Sequence, residues 1–487
     1  KISEQFELII NNDETSNILQ SSMKNWPYEI ENYALKDVVS EGKRFYVSKG
    51  ISLEKTKTDL FLTNGKDKVK VPDNFCLLTE YIMKEEYFTF KSIRGKFPKI
   101  SEKIILNKLK NIANGNLKLV NYDGKVFQFG NLESKLLADI KINNPNFFFN
   151  IVSGGSSALG EAYMNEDFYT SNLTNLIELS ARNIKLIYSF SGSLKIQKIK
   201  NFLKRIFAYN TKSKSLKYIS KHYDLGNEFF SQWLDKTLTY SSAIYDNPND
   251  SLEVAQKNKY QKLMNLLHIK DNNKVLEIGC GWGGFSEYLA KKHNVSIDCI
   301  TISKKQFEFT KHRIFKAGLN NKVNVKFLDY RDLNDRYDNI ASIEMIEAVG
   351  EKYLDKYFST IRNSLKKDGI AAIQGITIRD DLFDRYRNSE DFIQKYIFPG
   401  GFLPSVDFMK NLIIKNKLNL IKINSYPDDY AKTLISWREN FFKTWNNITP
   451  MGFDETFKRM WSFYLSYCEA GFKARNINLI QCSLSNK

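Results

Sequence analysis

From Val275 onward the apolar positions alternate between two periods. Val275–Ile278, Val295–Ile302, Val323–Leu328, Asn339–Ile343 and Ile370–Ile378 are short apolar runs of strand length, and residues with helical spacing lie between them. Ser303 is placed to cap a helix that runs to Ala317 and closes at Gly318; a second helix covers Lys352–Leu365, ahead of Gly369. Buried strands alternating with helices predict parallel βαβ units and a doubly wound α/β sheet, which seats ligands beyond the carboxyl ends of its strands. Asp380–Asn411 interrupts this rhythm. Leu418–Tyr426 and Ile477–Ser485 predict a closing antiparallel pair, with aromatic-rich helices at about Tyr430–Asn446 and Phe453–Arg475 between them. A helix over Leu252–Leu267 leads into the first strand.

The N-terminal half is organised differently. Leu53–Val71 alternates weakly, as a hairpin around Asn64-Gly65 would. The character changes at Ile104. Asn116–Val120 and Val126–Phe129 predict a hairpin turning at Asp123-Gly124, and Asp167–Ile187 reads as helical. The divisions expected are therefore 1–103, an accessory region of unknown role; 104–192, a small α+β domain; 193–221, a basic amphipathic helix and linker; and 222–487, the α/β domain. In Ser193–Tyr209, Leu194, Ile199, Phe202, Leu203, Ile206 and Phe207 share one helical face, with Lys195, Lys198, Lys204 and Arg205 on the other. This pattern serves an interfacial membrane binder or an ordinary surface helix, and both readings stay open.

Composition narrows the picture. The chain has 487 residues, a formal net charge of +17 and 42% hydrophobic content, including 35 Phe and 26 Tyr. That is ample for folded domains, and the positive balance points to an anionic partner, a membrane surface or nucleic acid. Five Cys are scattered without a C-x-x-C pair, which suits reduced thiols and a cytoplasmic setting. Four His show no metal-ligand spacing, and no apolar run approaches the roughly 18 residues of a spanning helix.

The densest chemical signal is VLEIGCGWGGFSEYLA, Val275–Ala290. It reads as strand, glycine turn, helix. A helix N-terminus beyond a glycine turn is suited to a nucleotide-like ligand. Glu277 ends the strand ahead of Gly279, Gly281 and Gly283. An acid there disfavours a pyrophosphate and suits a cationic, amino-acid-bearing ligand such as S-adenosylmethionine. From this window alone an NAD site and a ligand-free turn remain open. The acid that binds ribose hydroxyls in many such folds is not at its usual place, because Asp298 falls early in its strand; Thr301 and Gln306 are the substitutes.

Several blocks together resemble the cyclopropane-fatty-acyl-phospholipid synthases and mycolic acid methyltransferases. They are HYDLGNEFF at His222, LTYSSAIY at Leu238, VLEIGCGWGG at Val275, TISKKQ at Thr301, DYRDL at Asp329, MIEAVG at Met345, YIFPGGFLPS at Tyr396, DDYAKTLISWREN at Asp428 and GFKARNI at Gly471. GEAYM at Gly160 is similar to the small N-terminal domain of the longer members; residues before Ile104 match nothing in the family. The resemblance implies a class I S-adenosylmethionine-dependent methyltransferase that adds a methylene across the cis double bond of an acyl chain in a membrane phospholipid. It implies donor contacts at Tyr240, Ser241, Glu277, Gly279, Gly281, Gly283, Thr301, Gln306, Asp329 and Tyr330. A carbocation would need aromatic walls, for which Tyr223, Phe402, Tyr430 and Trp437 are candidates.

The resemblance also implies a bicarbonate ion as base, held by Ser242, Glu347, Gln374, Ile376 (backbone) and Tyr430, of which Ser242, Glu347, Gln374 and Tyr430 are the catalytic candidates. Here the chain departs from the family: Ser242 stands where Cys is frequent, Gln374 and Ala348 where His is frequent. Ser and Gln can hydrogen-bond an anion but do not titrate near neutrality. Three alternatives follow: a lipid C-methyltransferase leaving a methylene or methyl branch, a non-enzymatic donor-binding remnant, and a nucleic-acid methyltransferase, against which the absence of an Asn-Pro-Pro-Tyr-type motif counts. The expected setting is the inner face of the membrane, with a homodimer as the candidate assembly.

Overall fold

The computed structural model describes residues 90–154, 157–188 and 225–486, together with strand segments 45–46, 52–56, 60–63, 68–71 and 87–88. Residues 193–209, expected as a helix, and Tyr223 lie outside the described residues. The chain divides into two compact units, the larger made of residues 159–165, 170–182 and 198–487.

In the smaller unit Leu60–Thr63 pairs antiparallel with both Ser52–Lys55 and Lys68–Val71, so the expected pairing around residues 64–65 is present as one edge of a three-stranded sheet. A helix spans Phe90–Leu109. Asn116–Val120 pairs with Val126–Gly130 as the predicted hairpin, and with Leu137–Ile142 in parallel. Phe147, Phe148 and Phe168 pack edge to face beneath this sheet and are buried, together with Leu117, Leu119 and Ile140. Asp167–Ile187 is not one helix: Phe168–Tyr169 is a strand, and Leu173–Arg182 and Ile184–Tyr188 are separate helices.

The larger unit carries a seven-stranded sheet. Its strands are β1 (Lys274–Ile278), β2 (Ser296–Thr301), β3 (Val323–Phe327), β4 (Tyr337–Ile343), β5 (Leu365–Ile378), β6 (Leu418–Ser425) and β7 (Ile477–Asn486). They lie in the order β3-β2-β1-β4-β5-β7-β6, with the first five parallel and β7 antiparallel to both β5 and β6. The order reverses between β1 and β4, and ligands in such sheets sit at that reversal, beyond the carboxyl ends. β5 begins at Leu365, earlier than predicted, because the chain passes from helix directly into sheet. Every residue from Val275 to Ile278 is buried, as a central strand covered on both faces requires.

The helices that frame the site are α1 (Gly226–Trp233), α2 (Leu252–Leu267), α3 (Gly284–Lys292), α4 (Lys304–Lys316), α5 (Ile346–Val349), α6 (Leu354–Ser364), α7 (Pro427–Lys443) and α8 (Glu455–Lys473). α4 starts as its sequence demands, with the Ser303 hydroxyl accepting from the Gln306 amide. α7 and α8 are joined by a buried ion cluster. Glu469 on α8 meets Arg438 on α7 at 2.9 Å and Lys473 at 2.7 Å, and accepts from the Thr174 hydroxyl at 3.0 Å. One carboxylate thus satisfies two cations and a hydroxyl, which offsets its desolvation.

Candidate active site

Past Ile278 the chain turns through Gly279, Gly281 and Gly283 at φ of 79°, 52° and 81°. A Cβ on Gly279 would stand 2.8 Å from Met345 Cγ, and one on Gly283 2.5 Å from Thr310 Cγ2. Both positions require glycine, for the backbone angle and for the close approach. A Cβ on Gly281 would meet nothing within 4 Å, so the loop borders open space there. The amides of Gly279 and Cys280 both donate to Ile300 O at 3.0 Å, which pins the loop to β2.

Glu277, one residue before the end of β1, is buried and accepts from the Ser286 hydroxyl. Burial pushes its carboxyl up to about 7; Ser286, Lys259 and Arg313 act against that rise. A buried carboxylate with raised proton affinity gains from any cation placed beside it. The chemistry of this cradle therefore fits a ligand that carries an ammonium and a sulfonium, and does not suit a pyrophosphate.

At the end of β2 the Thr301 hydroxyl donates to Gln306 Oε1 at 3.0 Å, and both side chains are buried. Asp298 is committed elsewhere: it accepts from Tyr337 and Asn324 and pairs with Lys326 at 3.0 Å. The acid on β2 is structural, as its early position in the strand implied. Asp329 follows β3 and binds Arg331 through both oxygens, at 2.8 and 2.6 Å, while Tyr330 lies edge-on to Tyr357.

Tyr240 and Ser241 reach the site from the loop after α1. The Tyr240 hydroxyl is 2.7 Å from that of Tyr464, and its ring packs against Phe230, Trp233 and Trp437. The Ser241 hydroxyl accepts from Lys259 Nζ at 2.7 Å. Lys259 is wholly buried, and desolvation brings its ammonium down to about 8, with Glu344, Asp235 and Glu277 acting against the fall. The sequence analysis did not single it out, although Ala255 and Leu263, one turn to either side on α2, share its buried face.

The residues expected to hold an anion do converge, but they converge on a side chain. Glu344 Oε1 accepts from the Ser242 amide at 2.8 Å and from Gln374 Nε2 at 2.8 Å; Glu344 Oε2 accepts from the Tyr430 hydroxyl at 2.6 Å. Ser242 contributes its backbone N–H, while its hydroxyl donates to Ala243 O at 2.9 Å. Gln374 is held in orientation by Gln481, whose Nε2 donates to Gln374 Oε1 at 2.8 Å, so the amide presents its NH₂ group to the carboxylate. Of the five residues expected to hold a bicarbonate, Ser242, Gln374 and Tyr430 donate to Glu344 and the Ile376 amide donates to Glu347, so a second anion there would meet repulsion with few donors left to offset it.

Glu344 is also conformationally unusual. It follows the last residue of β4 at φ 48°, in the left-handed region that a glutamate enters at a cost of roughly 1–2 kcal/mol. Charge-assisted hydrogen bonds, each worth about 1.5–3 kcal/mol, hold it there. Its signal in the sequence was its place, an acid at the carboxyl end of a strand in an α/β sheet. The neighbouring Met345 touches the glycine loop, as the Gly279 geometry shows.

Glu347 lies on α5. Its Oε1 accepts from the Ile376 amide, and its backbone O accepts from Phe402 N at 2.9 Å. Its Oε2 is buried without a hydrogen-bond partner. Burial first, and then the charge of Glu344, push the Glu347 carboxyl up to about 8. Burial raises Glu344 too, but Tyr430, Lys259, Gln374 and the Ser242 amide oppose the rise. Of the two acids, Glu344 gathers three donors and Glu347 one.

Of the aromatic candidates, Tyr430 stacks on Phe472 at 4.4 Å and meets Trp437 at right angles at 6.2 Å. Trp437 also touches Tyr240, so one indole joins the donor side to the carboxylate side. Phe402 packs instead among Phe383, Tyr386 and Phe408. Trp233, fully buried against Trp437, belongs to the same aromatic wall and was not singled out from the sequence.

Residues 210–482 match the family described as mycolic acid cyclopropane synthetase, and residues 104–189 match a domain of unknown function. The chain is 36% identical to the cyclopropane-fatty-acyl-phospholipid synthase of Escherichia coli (strain K12), over 72% of this chain and 88% of that protein. It is 32% identical to the tuberculostearic acid methyltransferase UfaA1 of Mycobacterium tuberculosis (strain ATCC 25618 / H37Rv), over 68% of this chain and 79% of that protein. Among solved structures, the mycolic acid cyclopropane synthase CmaA1 complexed with SAH and CTAB superimposes with a TM-score of 0.52 at 26% identity, covering 55% of this chain and 97% of that one.

Proposed function

Because the chain belongs to the mycolic acid cyclopropane synthetase family, we propose that it transfers a methylene unit from S-adenosylmethionine to the cis double bond of an unsaturated acyl chain in a membrane phospholipid, closing a cyclopropane ring. Its seven-stranded sheet is the class I methyltransferase fold, and the chain is an S-adenosylmethionine-dependent enzyme. The observation that carries the substrate reading is the apposition at the sheet reversal. The glycine cradle adjoins a desolvated carboxylate held by Ser242, Gln374 and Tyr430: Gly279 approaches Met345, next to Glu344, and the buried Lys259 feels both Glu277 and Glu344.

S-adenosylmethionine, when bound, supplies an electrophilic methyl group on a sulfonium. The chain's own residues do the rest. The Gly279–Gly284 turn and Glu277 fix the donor's cationic end, with Thr301, Gln306 and the Asp329–Tyr330 corner as the proposed remaining contacts. Positioning of this kind is worth several kcal/mol, because the olefin is neutral and brings no charge of its own to be steered by. Tyr430 and Trp437 present ring faces that stabilise a developing cation by about 0.5–2 kcal/mol each. Burial of the aromatic wall keeps water from capturing that cation.

Access to the acyl chain is proposed to occur at the surface of an anionic membrane, supported by the +17 charge and by the Ser193–Tyr209 pattern. Among the described residues no helix is long and apolar enough to cross a membrane. The test is product analysis after incubation with unsaturated phosphatidylglycerol vesicles. Ring and methylene products have the same mass, so proton NMR is needed: upfield ring protons support the proposal, and vinylic methylene signals would replace it with the branched-chain alternative.

A further inference from the structure

We propose that Glu344 is a built-in proton acceptor for ring closure, so that this chain completes the reaction with its own carboxylate and without a bound anion. The inference rests on the cyclopropanation reading above and deepens it.

The chemistry sets the requirement. The π electrons of the double bond form a C–C bond to the donor methyl as the C–S bond breaks, and its electron pair stays on sulfur. A cation is left on the neighbouring carbon. One C–H bond of the transferred methyl must then break; its electrons close the third side of the ring, and the proton needs an acceptor in a site closed to water. Acceptor candidates are few. Glu347 has one oxygen on the Ile376 amide and the other buried with no donor to stabilise the charge a base must carry. Tyr430 and the Gln374 amide are donors toward Glu344. The Ser241 hydroxyl accepts from Lys259, and the Ser242 hydroxyl is turned to Ala243 O.

Glu344 meets the requirement in detail. Oε1 takes two donors, the Ser242 amide and Gln374 Nε2, which uses both of its lone-pair positions; Oε2 takes only Tyr430 and keeps one free. The proton is therefore assigned to Oε2. Desolvation strengthens the carboxylate as a base, and Lys259 behind it balances its charge. The positive φ of Glu344 shows that the backbone is held in a glycine-like conformation to bring this carboxylate to the donors. A glutamate has no local reason to be there.

Glu344→Gly is the informative variant, since it suits the backbone angle and vacates a pocket of converged donors. Expected are a loss of turnover of about 10²–10³-fold, S-adenosylhomocysteine affinity equal to wild type by calorimetry, and saturable recovery with added bicarbonate or formate. Wild type should be indifferent to removal of dissolved carbonate. Glu344→Gln, which fills the pocket with a neutral amide, should lose turnover without recovery. With a CD₃-labelled donor it should show a larger isotope effect than wild type, because C–H cleavage has become limiting. The proposal is overturned by any of four results: turnover retained in either variant, loss of S-adenosylhomocysteine binding alongside turnover, a Gly variant that folds but does not recover, or a wild type that needs carbonate. Should Glu344→Gly not fold, the isotope effect in Glu344→Gln decides alone, and an unchanged value overturns the assignment. Failure of wild type itself to add CH₂ to unsaturated phosphatidylglycerol would instead refute the cyclopropanation reading.

Discussion

Gly283→Ala tests whether the glycine turn is a cradle shaped by close packing. At φ 81° an alanine costs roughly 1–2 kcal/mol of left-handed strain. Its Cβ would sit 2.5 Å from Thr310 Cγ2, too close to relax without moving a buried side chain, and overpacking of this kind costs about 1–3 kcal/mol. The stiffer unfolded chain returns about 0.4–1 kcal/mol. The net expectation is a destabilisation of about 2–4 kcal/mol, read from urea unfolding. The clash falls on the residue that holds the loop, because Thr310 Oγ1 donates to Gly281 O at 3.0 Å. Affinity for S-adenosylhomocysteine should therefore fall as well. Thr310→Ser keeps that hydroxyl and removes the clashing methyl, so the double variant should recover the steric share and not the backbone share, a coupling of about 1–3 kcal/mol. Unchanged stability and affinity in Gly283→Ala, or a double variant with purely additive losses, would refute this account of the turn.

Three further outcomes are expected. Gln481→Leu should remove the hydrogen bond that orients Gln374, costing about 1–3 kcal/mol for the orphaned amide oxygen and lowering kcat while leaving S-adenosylhomocysteine affinity unchanged; equal losses in both would mean a general packing defect. Glu347 is raised above its unfolded value, so the stability it lends is complete below about 4.5 and is lost as pH rises toward about 8. Of the groups that face it, Glu344 adds to the rise, while Tyr357, Tyr386 and Tyr430 stay neutral in this window. Glu347→Gln should thus gain on wild type between pH 5 and 8 by up to about 1.4 kcal/mol per pH unit, and parallel urea-stability curves would contradict the assignment of the proton. Replacing Lys195, Lys198, Lys204 and Arg205 together by Gln should weaken sedimentation with anionic vesicles at low salt; unaltered binding would return that segment to an ordinary surface helix.

Much of the larger unit was legible because its information is local. The periods of apolar residues gave the strands β1–β4 and the helices after them, and the Ser303 cap and Gly318 stop set the ends of α4 within a residue. Val275–Ala290 announced its turn because only glycine satisfies the backbone angles there. Asp167–Ile187 misled because Phe168–Tyr169 is too short a strand to interrupt a helical pattern; it exists only through pairing with Leu137–Ile142. Lys259 was not singled out at all: it shares the buried face of α2 with Ala255 and Leu263, one turn to either side, but a lysine is ordinarily a surface residue.

The sequence by itself determined the glycine turn proposed to hold the donor, since a strand, a turn and an acid within a dozen residues are contiguous backbone. The proposed acceptor side was decided only by tertiary structure. Ser242, Glu344, Gln374 and Tyr430 lie on four separate elements, and nothing local distinguishes Glu344, which binds the three donors, from Glu347 three residues on. A hydrogen-bond network has no sequence period. It becomes defined when β4, β5 and α7 pack together, and the donors they bring there converge on Glu344 and not on Glu347.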